Sequence, residues 1–191
     1  MKIDKYPVVA ITGGIGSGKS YVCRLLGERG IRVYDCDSAA KRLMHNSRHL
    51  QERLTHLIGP DTYIDGHLNK AAVASFMMQS DDNVKAVNAI VHPAVAEDFF
   101  ESDYTWMETA ILYDCGFDRY AGVVIAVVAP IETRISRIMQ RDGISREKAL
   151  EWIAKQMDQK EVEQRSDHVV INDGIHDLAS QIDRILTKIK E

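Results

Sequence analysis

Cysteine is scarce in this chain of 191 residues: Cys23, Cys36 and Cys115 are the three it has. An odd number, with no CxxC pair and no Cys/His spacing, argues against a disulfide framework or a zinc site and fits a reducing compartment, with the cytoplasm the natural inference. Long apolar runs are missing as well. None approaches the roughly 18 residues of a membrane helix, so no membrane partner is expected. The lysines of MKIDKYPVVAITGG precede only about five apolar residues, which read as a first strand and not as a secretory signal. Positive charge is not in excess either. A formal net charge of −4 argues against a nucleic-acid binder that relies on many phosphate contacts, so any anion site must be local. Internal repeats and low-complexity tracts are also absent.

What the chain does contain is a series of short apolar runs between longer helical patterns: PVVAI (7–11), IRVY (31–34), WMETAIL (106–112), VVIAVV (123–128) and HVVI (168–171). Five strands separated by helices imply an α/β protein with a mainly parallel sheet covered on both faces, and the unbroken apolarity of VVIAVV marks a central strand. Pro130 after that strand suits a helix start, and NDG (172–174) is a turn before the last helix. Roughly seventy residues separate the second and third strands, where a simple crossover needs about a dozen. The reading is one domain with its core in 1–37, 102–136 and 161–191, a helical insertion over 38–101 and a charged helical lid over 137–160. Within the insertion, 39–58 and 81–100 show helical periodicity around a turn-rich GPDTYIDGHLN.

The segment from Ile11 to Ser20, ITGGIGSGKS, contains four glycines, one lysine and two serines. Gly13-x-x-x-x-Gly18-Lys19-Ser20 fits the phosphate-binding loop pattern, with a strand before it and a helical run after it. Gly13, Gly14, Ile15, Gly16, Ser17, Gly18, Lys19, Ser20 and Tyr21 are the expected nucleotide contacts. Glycines let the backbone N–H groups close around phosphate oxygens at a helix N-terminus, Lys19 reaches the β- and γ-phosphates, and the Ser20 hydroxyl binds Mg²⁺. The other reading of such a stretch is a flexible turn. The chain lacks an NKxD guanine-reading segment and a long apolar strand ending in an acidic pair, which turns the reading away from switch GTPases and motor ATPases.

Asp35 and Asp37 end the second strand, at the sheet edge where open α/β folds bind ligands. One is expected to cap the helix that follows and the other, with Asp37 favoured, to face a hydroxyl acceptor as a base. Arg134, Arg137 and Arg141 share a helix face. They suit a lid over transferring phosphate, the alternative being a solvated basic face.

The order and spacing of TGGIGSGKS, DCD, DGHLN, NAIVHP, ETAILYD, MQRDGIS, KQM and INDG resemble the dephospho-CoA kinase family along nearly the whole chain. The resemblance implies a P-loop NTPase fold with a five-stranded parallel sheet flanked by helices, a helical insertion on the CoA side and a lid. It implies transfer of the γ-phosphate of ATP, with Mg²⁺, to the ribose 3′-hydroxyl of dephospho-CoA by a monomer or weak homo-oligomer. Carried over by residue, Asp37 is the general base with Asp35 beside it, Lys19 the phosphate lysine, Ser20 a metal ligand, and Arg137 and Arg141 the lid arginines. His92 of His92-Pro93 falls in the acceptor subdomain, and it could equally cap or pack a helix end. Glu108 stands where many members have an acidic residue and is expected near the metal. AILYD, Ala110 to Asp114, departs from the family's PLLFE, Tyr21 replaces a frequent threonine, and Lys70 replaces a more usual arginine.

Overall fold

The computed structural model describes residues 7–190; residues 1–6 and 191, the outer ends of the expected core segments 1–37 and 161–191, lie outside the described residues. In chain order the strands are β1 (Val9–Thr12), β2 (Val33–Asp35), β3 (Tyr63–Ile64), β4 (His67–Leu68), β5 (Trp106–Glu108), β6 (Val123–Val128) and β7 (His168–Ile171). The helices are α1 (Lys19–Gly27), α2 (Cys36–Asn46), α3 (Arg48–Ile58), α4 (Lys70–Gln79), α5 (Asp81–Glu101), α6 (Ile131–Asp142), α7 (Arg146–Ala154), α8 (Gln159–Gln164) and α9 (Leu178–Lys190). They divide into two compact units, one formed by the chain up to Tyr34 and from Tyr104 onward, the other by Asp35–Asp103.

The first unit is built on a five-stranded sheet in the order β2-β5-β1-β6-β7. β1 pairs in parallel with β5, Ile11 opposite Glu108, and with β6, Thr12 opposite Ala126. β6 pairs in parallel with β7. Every residue of β1 and all of β6 after Val123 are buried, as a strand covered on both faces requires. Alternation along β6 divides the two cores: Ile125 and Val127 join Val9, Ile11, Val22, Leu26, Val170, Ile182 and Ile185 beneath α1 and α9, while Ala126 and Val128 pack with Val162 of α8 on the other face. Burial of a side chain such as Leu26 contributes about 1.5–3 kcal/mol.

The third sheet-forming run is shorter than the apolar stretch 106–112 suggests, because β5 ends at Glu108. Thr109 N–H still donates to the Ile11 carbonyl at 3.0 Å. Its hydroxyl then accepts from Ile111 N–H at 3.3 Å, and this local bond turns the backbone out of the ladder. Residues 110–112 stay apolar because Leu112 is buried, not because they are in the sheet.

In the second unit α5 packs against α2, α3 and α4. Leu50 and Leu54 of α3 and Val87, Val91, Val95 and Phe99 of α5 are buried, each set spaced by four as a helix face demands. Arg42 and Asp98 tie α2 to α5 through a forked pair, at 3.3 and 2.6 Å. The helical stretch 39–58 is two helices. Ser47 breaks it with extended backbone, and its hydroxyl accepts from Leu50 N–H at 3.3 Å to cap α3. Between α3 and α4 lies the β3–β4 hairpin, turning at Asp65 and Gly66 with φ of 50° and 78°, the left-handed pair of a tight hairpin turn.

Candidate active site

β1 delivers the chain into the loop Gly13–Gly18 at the C-terminal edge of the sheet, beside the last residue of β5. The carbonyls of the loop are held by side chains far away in sequence. Arg134 Nε donates to the Ile15 carbonyl at 2.9 Å. Arg137 Nη1 donates to the carbonyls of Gly16 at 3.3 Å and Ser17 at 3.2 Å, and Asn172 Nδ2 donates to Ser17 at 2.8 Å. A trans peptide is planar, so its N–H points opposite to its C=O. Carbonyls held on one side therefore leave the N–H groups of Gly16, Ser17 and Gly18 displayed away from these donors, with Ser17 N–H donating to the Gly14 carbonyl at 3.1 Å. Such successive N–H groups form an anion nest.

Gly18 precedes α1 with φ 94°, and no side chain caps this helix. By contrast α2, α3, α4, α5, α7 and α8 each have an Asp, Ser or Asn whose oxygen accepts from a first-turn N–H. With no side chain over it, the N-terminus of α1 offers the positive end of the helix to an anionic ligand. Lys19 begins α1 and its Nζ lies 3.7 Å from Glu108 Oε1, with 11% and 13% of the two side chains exposed. Glu108 ends β5, so sheet register brings this carboxylate to the loop. Ser20 and Tyr21 are exposed on the first turn, and the Arg24 guanidinium lies over the Tyr21 ring at 4.5 Å.

The expected arginine face divides by depth. Arg134 is 5% exposed, and burial pulls its pKa down against the raising effect of Asp158. Arg137 spends its other nitrogen on Asn172, at 3.3 Å to the carbonyl and 3.1 Å to Oδ1, so both arginines support the loop backbone. Arg141, 62% exposed, forms a forked pair with its neighbour Asp142, the closest contact 2.8 Å. All three lie on α6, which runs unbroken from Ile131 through Asp142.

In the second unit Asp35 caps α2. Its carboxylate accepts from Ser38 N–H at 2.9 Å and from the Ser38 hydroxyl at 2.6 Å. Asp37 is an exposed residue in the first turn of the same helix. His92 lies on α5 just before Pro93, and burial lowers its pKa below the ordinary imidazole value. Burial raises the pKa of Asp114 in the first unit, partly opposed by Arg165.

Two residues with no role assigned from the sequence stand out. Asn172 joins Arg137 to the loop, and Gln156 Oε1 accepts from Ile15 N–H at 2.7 Å. Both lie within motifs that carry the resemblance, INDG and KQM, but their spacing from the loop, 155 and 141 residues, gives no local pattern to read.

The chain is similar to known proteins along most of its length. The dephospho-CoA kinase family model matches residues 7–177. The dephospho-CoA kinase of Porphyromonas gingivalis is 40% identical over 95% of this chain and 94% of its own length. A crystal structure from Thermus thermophilus superimposes with a TM-score of 0.80 at 32% identity, covering 96% of this chain and 98% of that one. A shikimate kinase from Acinetobacter baumannii shares the fold at TM-score 0.58 and 16% identity, covering 98% of this chain and 94% of that one. The five-stranded sheet, the outward-tied phosphate loop and these relatives lead to one conclusion: the chain belongs to the dephospho-CoA kinase family.

Proposed function

We propose that this chain transfers the γ-phosphate of ATP to the ribose 3′-hydroxyl of dephospho-CoA, giving coenzyme A and ADP, the final step of coenzyme A synthesis. The observation that carries this is the loop Gly13–Gly18, its carbonyls tied outward ahead of an uncapped α1, in a chain of this family.

Phosphoryl transfer asks little covalent chemistry of the protein, so positioning and charge stabilisation do most of the work. The loop N–H groups and α1 hold the β-phosphate, and Lys19 bridges toward the γ-phosphate. Glu108 beside Lys19 keeps the ammonium in place. Arg137 keeps the loop in its binding shape, and Arg141 supplies positive charge from α6 for the phosphoryl group in transit. Asp35 is occupied as a helix cap, which favours Asp37 as the base that orients the 3′-hydroxyl and takes its proton. His92, kept neutral by burial, contributes a hydrogen-bonding edge to acceptor binding. Ser20 and Glu108 are hard oxygen donors of the kind Mg²⁺ takes together with phosphate oxygens and water, and would hold it. Held there, it would supply positive charge that offsets the charge of the phosphates.

Cys23, Cys36 and Cys115 form no disulfide among the described residues, as suits a reducing cytoplasm. No helix among the described residues is long and apolar enough to cross a membrane. We place the enzyme in the cytoplasm as a monomer or weak homo-oligomer whose partner is its small-molecule substrate, with no nucleic acid.

ADP release measured with and without dephospho-CoA tests the activity. Release that does not depend on dephospho-CoA would refute it. Asp37→Asn is expected to keep ATP affinity and to lose at least roughly a hundredfold in kcat, the usual size of a general-base loss. Near wild-type turnover would remove Asp37 from that role.

A further inference from the structure

Ile15 is held at both ends of its backbone. Arg134 takes its carbonyl, and Gln156, in the connection between α7 and α8, takes its N–H at 2.7 Å. The second bond fixes the peptide between Gly14 and Ile15. That peptide's carbonyl accepts from Ser17 N–H at 3.1 Å, closing the turn inside the loop. Rotation of the same peptide would break that turn bond together with the Gln156 bond, and so loosen the bend that aligns the Gly16, Ser17 and Gly18 N–H groups. On its N-terminal side the peptide is flanked by Gly14, which offers no side-chain resistance to such a rotation. Gly14 also has to be glycine for its support to fit, since a Cβ there would meet the guanidinium of Arg134 and come within 3.2 Å of Gln156 Oε1.

We infer that Gln156 is a positioning residue: its amide oxygen selects the nucleotide-competent orientation of the Gly14–Ile15 peptide, and so couples the α7–α8 segment to the affinity of the loop for ATP. The inference rests on the kinase reading of the loop but concerns a residue outside it. Gln156 and Arg134, with Ile131, Asp158 and Lys160, line a cavity of about 450 Å³. The bond therefore spans a space that solid packing does not fill, and Gln156 can be changed there without crowding its neighbours. A loop that spends part of its time in the other orientation binds ATP in proportion to the competent fraction.

The test is Gln156→Met, which keeps length and removes the acceptor, read by steady-state kinetics, melting temperature and exchange of the Ile15 amide by NMR. The expected result is faster exchange of Ile15, a KM for ATP raised roughly three- to tenfold, the equivalent of one neutral hydrogen bond, and an unchanged KM for dephospho-CoA. A KM for ATP equal to wild type despite an exposed Ile15 amide would overturn the inference. So would a loss confined to kcat with a lowered melting temperature, the mark of a merely structural role. If the methionine variant does not fold, Gln156→Ala, which leaves more space, is judged by the same two criteria. Failure of the wild type to release ADP in response to dephospho-CoA would instead refute the kinase reading, while the Ile15 exchange would still report on the clamp.

Discussion

Gly18 shows how closely single residues in the loop are constrained. Its φ of 94° lies where a side chain is strained, and an added Cβ would run into the Asn172 amide that holds the Ser17 carbonyl. Left-handed strain of about 1–2 kcal/mol and the loss of one hydrogen bond of about 1 kcal/mol both act against the binding shape. Gly18→Ala is therefore expected to raise the KM for ATP by roughly 30- to 150-fold, with little change in the KM for dephospho-CoA. Equal KM values for ATP in variant and wild type would show that Asn172 yields without consequence. At this scale the sequence is legible where chemistry is local. Lys19 and Ser20 follow the glycines by spacing, and the choice between Asp35 and Asp37 as helix cap needed only the Ser38 N–H three residues on. Gln156 and Asn172 are opaque because a glutamine or asparagine announces nothing about a carbonyl or amide more than a hundred residues distant.

Among the elements, α5 carries a titratable group whose surroundings make a pH dependence. Burial holds His92 below its ordinary 6.5. As pH falls through 6.5 the unfolded chain takes up a proton that the folded chain resists, so the contribution is complete above that value and declines below it. Urea unfolding at about pH 7.5 and about pH 5.5 should show wild type losing more stability on acidification than His92→Gln; equal losses would mean that His92 is not the group responsible. The elements themselves were legible where periodicity runs long. β6 reads as a buried strand and α5 as a helix from residue order alone. β5 is shorter than its apolar run, since the apolar residues after Glu108 serve a turn packed on the core, and only the Thr109 hydroxyl marks the exit. The break at Ser47 and the Asp65-Gly66 hairpin had readable signals, a capping serine and a tight-turn pair, that helical periodicity and a general turn-rich composition concealed.

For the whole molecule, a ligand that binds only the folded state raises stability by mass action, about 2.7 kcal/mol at a hundred times its dissociation constant. Saturating ATP should therefore raise the melting temperature by several degrees, and Gly18→Ala should show a smaller rise at the same concentration. An identical rise in both would place the nucleotide elsewhere. The supports of the loop have one more consequence, which concerns biosynthesis. Residues 13–18 leave the ribosome early, but Arg134, Arg137, Gln156 and Asn172 follow much later, the last of them 155 positions behind Ser17. At roughly 5–20 residues per second, a growing polypeptide carries its glycine loop without these braces for on the order of ten to thirty seconds. Until Asn172 has emerged the nascent chain cannot take up nucleotide in the mature geometry, so ATP can reward only a translation product that is nearly finished.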